Sequence, residues 1–206
     1  MEADTEPSTL LIVDDDAVDR ETIRRALESA VPDSPIDQAG ESEAALNKLR
    51  RREYLAAFVD YRLPGRSGLE LLQQVRREGL TTPVIILTGY GDELLAVEVL
   101  KAGAADYLPK SHLAPDRILM CLESAKALAR GRIRPCRLDR LTGREREVMN
   151  LLVTGKSNKQ VASELGISRR TVESHRAHIM EKLEAGSLAE LVRCVLQAGP
   201  QGLSPP

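Results

Sequence analysis

Short continuous apolar runs alternate with helix-length segments along the first half of the chain. The runs are Leu10-Leu11-Ile12-Val13, Ala56-Ala57-Phe58-Val59 and Val84-Ile85-Ile86-Leu87. Their length and unbroken apolarity suit strands buried on both faces. Between them lie Ala17 to Ser29, Ser42 to Arg52, Leu69 to Glu78 and Glu93 to Ala102, with Ser67 and Glu70 spaced as a capping box. Ile36 to Ala39 and Asp106 to Leu108 fill the remaining strand slots, and Ala114 to Ala129 the last helix. Five alternations of strand and helix predict an α/β doubly wound, five-stranded parallel sheet with helices on both faces.

The pattern changes after residue 137. Leu138 to Ala198 reads as four short helices, whose starts are marked by Thr142 with Glu145, Ser157 with Gln160, Ser168, and Ser187 with Glu190. Val148, Leu151 and Leu152, then Val161 and Leu165, then Val172, Ile179 and Leu183, then Leu188, Leu191, Val192 and Val195 supply the stripes of one small core. Gly166 stands where a helix end needs a left-handed residue, in the turn Leu165-Gly166-Ile167-Ser168. This is a small all-α helix-turn-helix layout, and its second helix, Arg169 to Leu183, is the one such folds insert in the DNA major groove.

Charge divides the chain at the same place. Residues 1–129 hold 15 Lys+Arg against 23 Asp+Glu, and residues 130–206 hold 14 against 8, so an acidic half (−8) precedes a basic half (+6). Arg130-Gly131-Arg132-Ile133-Arg134-Pro135-Cys136-Arg137 reads as a basic linker. The expected organisation is a disordered N-terminus over 1–8, a first domain over 9–129, the linker over 130–137, a second domain over 138–198 and a flexible tail over 199–206. No run is long enough to span a bilayer. Cys121, Cys136 and Cys194 are scattered and odd in number, so neither a disulfide framework nor a zinc site is expected, and a reducing cytoplasm fits best. An aromatic content of 2% argues against single-strand or RNA binding on stacking platforms.

In doubly wound sheets ligands bind beyond the carboxyl ends of the strands, where strand order reverses. Asp14, Asp15 and Asp16 follow the first strand, Asp60 ends the third, Thr88 ends the fourth and Lys110 follows the fifth. Clustered carboxylates that stay ionised call for a cation. Magnesium suits them, because it takes one or two carboxylates, keeps several waters and accepts phosphate oxygens. A lysine and a threonine opposite would hold the other oxygens of a phosphoryl group, and aspartate is an established nucleophile for such a group.

These residues resemble the receiver domains of bacterial two-component response regulators, which have a flavodoxin-like fold. Val13-Asp14-Asp15-Asp16, Val59-Asp60-Tyr61-Arg62-Leu63-Pro64-Gly65, Leu87-Thr88-Gly89 and Asp106-Tyr107-Leu108-Pro109-Lys110 stand where that pattern puts them. The resemblance implies that Asp60 accepts phosphate from a sensor histidine kinase. Asp14, Asp15, Asp60 and the backbone carbonyl of Arg62 would hold Mg2+, Thr88 and Lys110 would contact the phosphoryl oxygens, and Tyr107 would act as the switch. Pro109 precedes Lys110 and Ser111 follows it, so the cis bond usual in the family after this lysine is not expected.

Leu141-Thr142-Gly143-Arg144-Glu145-Arg146-Glu147-Val148, Ser157-Asn158-Lys159-Gln160-Val161-Ala162 and Thr171-Val172-Glu173-Ser174-His175-Arg176 resemble the LuxR-type output domain, most of all its FixJ-like branch. Glu173, Ser174 and Ala177 would face base edges, with Lys159, Arg169, Arg170, Thr171, Arg176 and Lys182 flanking them as phosphate contacts. Members of this kind bind promoter double-stranded DNA as homodimers after phosphorylation, and RNA polymerase is a further candidate partner. Gly155-Lys156-Ser157 imitates a P-loop end but lacks the upstream glycine and strand, and His175 with His178 lacks a third metal ligand. The expectation is therefore a phosphorylation-controlled transcription regulator and not an enzyme; Arg62 stands where an aspartyl-phosphate phosphatase would carry its general acid. The rival reading keeps the fold but makes DNA binding constitutive or lost, with the receiver serving as a phosphate sink or partner platform.

Overall fold

A computed structural model of the chain describes residues 8–89, 93–131 and 136–198. The expected disordered N-terminus, apart from Ser8, lies outside the described residues, as do positions 132–135 of the expected linker and the tail over 199–206. The chain divides into two compact units, one of residues 1–91 and 102–132, the other of residues 92–101 and 133–206.

In the first unit, β1 (Leu10–Val13), β2 (Ile36–Ala39), β3 (Ala56–Asp60), β4 (Val84–Thr88) and β5 (Asp106–Pro109) pair in parallel in the order β2-β1-β3-β4-β5. The order reverses between β1 and β3, which places the crevice at their carboxyl ends. Strand side chains alternate between faces. Leu10, Ile12, Phe58, Ile85 and Leu87 pack with Ile23 and Leu27 of α1 (Ala17–Ala30) and Ile118 and Leu122 of α5 (Pro115–Ala129). The alternate residues Leu11, Val13, Ala57, Val59, Val84 and Ile86 are also fully buried. Helices α2 (Ser42–Arg51) and α3 (Gly68–Arg77) pack together, α2 also against β2 and α3 against β4. Both faces of the sheet are thus covered, as the unbroken apolar runs predict.

Local chemistry sets the element ends. Asp16 caps α1, accepting from the N–H groups of Val18 and Asp19, and Ser67 with Glu70 forms the reciprocal box at α3. A 3-10 turn over Lys110–His112 follows β5. No peptide bond is cis among the described residues, so the bond after Lys110 is trans as the sequence predicts.

The second unit includes α4 (Glu93–Lys101), a 3-10 turn at Leu138–Arg140, α6 (Gly143–Leu152), α7 (Asn158–Leu165), α8 (Arg169–Lys182) and α9 (Leu188–Gln197). Val148, Val161, Val172, Ile179, Leu191 and Val195 form buried stripes. Thr142 and Ser157 make full capping boxes with Glu145 and Gln160, and Ser168 caps α8. At α9 only half the expected box forms: Ser187 accepts from the Glu190 N–H, while the Glu190 carboxylate turns to the N–H of Gly186. Gly166 ends α7 at φ 64°, the left-handed conformation its place in the turn requires.

One expectation is corrected here. Cys136 and Cys194, 58 positions apart, are joined in a disulfide with their Cα atoms 5.0 Å apart. Scattered spacing in sequence conceals the pair because the fold lays the segment before Leu138 beside α9. Cys121 is free and buried in α5.

Candidate phosphoryl-transfer site and nucleic-acid interface

The carboxyl edge of the sheet is ordered around Lys110. Its Nζ lies 2.7 Å from Asp14 Oδ2, 2.9 Å from Asp60 Oδ1 and 2.6 Å from Asp19 Oδ2. Asp14, directly after β1, is almost wholly buried, and Asp60, the last residue of β3, is 5% exposed. Burial raises the carboxyl pKa of Asp14, and the Lys110 contact offsets only part of that. Burial also opposes the charge of Lys110, yet its hydrogen bonds to Asp14, Asp19 and Asp60 carry the ammonium pKa above its ordinary value. The second oxygen of Asp60 accepts from the backbone N–H of Arg62 at 2.9 Å. Arg20 Nη1 donates to the carbonyls of Asp14 and Asp15 at 2.6 and 3.0 Å, which fixes the acidic loop to α1.

Asp15 is exposed at this edge. Thr88 is buried at the end of β4, one residue beyond Leu87, which is in register with Asp60. Tyr107 is half-buried in β5, in register with Ile86, and its N–H donates to Asp106 Oδ1. Asp16, third in the acidic run, is committed to capping α1. Reading the sequence does not single out Asp19; its signal is the cap itself, since a start at Ala17 puts Asp19 in the first turn of α1, facing the same edge.

The donor set fits magnesium. Among the described residues no three Asp, Glu, His or Cys side chains form a ready cage. Magnesium keeps most of its waters and takes one or two carboxylates rather than a closed protein shell. Asp14 and Asp60 supply hard oxygens held close by a shared ammonium, with Asp15 exposed beside them.

In the second unit α7, the Gly166 turn and α8 form the helix-turn-helix. Val172 and Ile179 face the core, and Glu173, Ser174 and Ala177 are exposed on the opposite side. Arg169, Arg170, Thr171 and Lys159 are exposed, and Arg176 is half-buried. Arg169 Nε lies 3.3 Å from Glu173 Oε1. Lys182 is placed differently from the other basic residues: its Nζ donates to both oxygens of buried Glu145, at 2.8 and 2.7 Å, tying the end of α8 to the start of α6. Arg144 Nη2 donates to the Leu165 carbonyl at 2.7 Å, which fixes α6 to the turn.

Sheet order, edge chemistry and a helix-turn-helix unit define a class, a phosphoryl-receiving domain coupled to a DNA-reading one. Comparison with known proteins gives the family. Residues 10–123 match the response regulator receiver domain and residues 139–195 the bacterial regulatory proteins of the luxR family. The chain is 37% identical to the transcriptional regulatory protein FixJ of Bradyrhizobium diazoefficiens, over 92% of this chain and 95% of that one. It is 40% identical to FixJ of Azorhizobium caulinodans, over 91% and 92%. Among solved structures, full-length FixJ from B. japonicum is similar at a TM-score of 0.53 and 35% identity, covering 95% of this chain and 98% of that one. The response regulator StyR gives 0.51 and 35%, covering 92% and 98%. The chain belongs to the two-component response regulators with a LuxR-type DNA-binding output domain, a family of transcription regulators and not of enzymes. No helix among the described residues is long and apolar enough to cross a membrane.

Proposed function

We propose that Asp60 accepts a phosphoryl group from a sensor histidine kinase, and that this modification drives homodimerisation and promoter binding. The observation that carries the reading is the Lys110 ammonium held between Asp14 and Asp60 at the strand-order reversal. An Asp60 oxygen attacks phosphorus, the bond to the kinase imidazole breaks, and its electron pair leaves on the imidazole nitrogen. Asp14, Asp15, Asp60 and the Arg62 carbonyl would hold Mg2+, which supplies charge neutralisation at the phosphoryl oxygens when bound. Lys110 exchanges its contact with Asp60 for a phosphoryl oxygen, and the Thr88 hydroxyl takes another. Thr88 and Tyr107 lie on neighbouring strands, β4 and β5, so a shift at one is felt at the other and reshapes the face near Tyr107 where two receivers pair.

The receiver spans 9–129 and the output domain 138–198 in this reading, with 130–137 as linker. Pairing brings two copies of α8 to half-site spacing, with Glu173, Ser174 and Ala177 toward base edges and Lys159, Arg169, Arg170, Thr171 and Arg176 toward phosphates. Activity would be cytoplasmic, beside promoter DNA and RNA polymerase. Incubation of the full chain with Mg2+ and a small-molecule phosphodonor tests the first step by intact mass. One phosphoryl group is expected on the native chain and none on Asp60→Asn; equal incorporation in both would refute the assignment.

A further inference from the structure

The three cysteines occupy two settings. Cys121 is 1% exposed in α5, and burial pushes its thiol pKa up, as for an inert core residue. Cys136 and Cys194 are half-buried and bonded to one another. Arg137 follows Cys136 in the chain and turns its guanidinium to Asp139, Nε to Oδ1 at 3.3 Å. Their bond closes a loop around α6, α7 and α8 and fastens the chain before Leu138 to α9.

Other contacts also seat both ends of that bond. Leu191, Val192 and Val195 seat α9 in the core at 1% exposure or less, and Leu141 is buried just after the 3-10 turn. Arg146 Nη2 donates to the Leu138 carbonyl at 3.0 Å, anchoring the same turn to α6. The two cysteines are thus half-buried, and both ends of their bond are also seated by other contacts, which suits an exchanging pair better than a buried structural bridge.

We infer that Cys136 and Cys194 form a reversible thiol–disulfide exchange site whose co-reactant is a low-molecular-weight disulfide of the glutathione type. One protein thiolate attacks a sulfur of the small disulfide, forming a mixed disulfide and releasing one small thiol. The second protein thiolate attacks the protein-side sulfur, closes the Cys136–Cys194 bond and releases the other. Two protein thiols lose two electrons and two protons, and one small disulfide becomes two thiols. Closed, the bond fixes the point where the chain enters the output unit to α9; open, the first anchor is the Leu138 turn. This site is independent of Asp60 and its modification.

The full chain, equilibrated across ratios of reduced to oxidised glutathione, acid-quenched and alkylated, tests the inference by mass. A complete reversible transition is expected in the native chain and in Cys121→Ser. Cys136→Ser and Cys194→Ser should each trap a glutathione adduct on the remaining partner, with far-UV circular dichroism verifying that they fold. The oxidised chain should also show its output unit melting at least about 5 °C higher than the reduced one. The inference fails if the pair stays bonded at every ratio until the chain is unfolded, if it never bonds under excess disulfide, or if adducts form only on Cys121.

Discussion

Replacing Lys182 by Met should weaken the output unit without weakening its electrostatic hold on DNA. Glu145 is 6% exposed in its side chain and Lys182 36%. Burial works to raise the Glu145 pKa, yet the hydrogen bonds from Lys182 and from the Thr142 N–H and hydroxyl hold it near 2 against an ordinary 4.5. Converted at about 1.4 kcal/mol per tenfold change in proton affinity, the gap is about 3 kcal/mol. The Thr142 donors survive the substitution and solvent screens the partly exposed ammonium, so the expected loss is about 1–2 kcal/mol at pH 7. Met keeps the apolar stem, which confines the change to the charge. A carboxylate whose pKa falls on folding stabilises fully above its unfolded value, and that contribution is lost as pH falls through the folded one. The difference between native and variant should therefore be constant above about pH 4.5 and shrink toward pH 2. Urea unfolding followed by hydrogen-exchange mass spectrometry over residues 143–182 isolates the output unit. An unchanged midpoint at pH 7, or a difference that grows as pH falls toward 2, would refute the reasoning.

A Cβ added at Gly68 would lie 2.3 Å from the Asp60 carbonyl oxygen, whereas one added at Gly143 would meet open space. Gly68→Ala should cost about 1–3 kcal/mol and slow phosphoryl incorporation at Asp60, with Gly143→Ala as the near-neutral control in urea unfolding and phosphodonor labelling. Arg170→Ala should weaken binding to all DNA sequences alike and reduce the salt slope of affinity by about 0.9 for each phosphate left without its cation, read by fluorescence anisotropy across salt concentrations; Lys182→Met should leave that slope unchanged.

Features that depend on local sequence are legible in it. The apolar runs mark the strands because burial on both sheet faces leaves no room for polar alternation. Ser67 with Glu70 and Gly166 mark helix ends because capping is a matter of a few neighbouring residues. Asp14, Asp60 and Lys110 can be placed together because parallel strands all deliver their carboxyl ends to one edge. The remainder requires the tertiary fold. Asp19 joins Lys110 only through the packing of α1 on α5 and β1, which sets its first turn at the carboxyl edge, and Lys182 meets Glu145 only because the end of α8 crosses the start of α6. The Cys136–Cys194 bond links positions with no spacing signature. At α9, Glu190 has two backbone donors within reach, and spacing alone does not reveal that it takes the N–H of Gly186.

The central claim is that modification of Asp60 controls DNA binding by pairing two chains. Its most direct measurement is promoter-DNA affinity together with dimer fraction, each with and without Mg2+ and phosphodonor, in the native chain and in Asp60→Asn. Donor-dependent dimerisation and tighter binding in the native chain alone are the predicted result. Affinity indifferent to both the donor and Asp60→Asn would contradict the account and leave a constitutive DNA binder whose receiver serves another purpose.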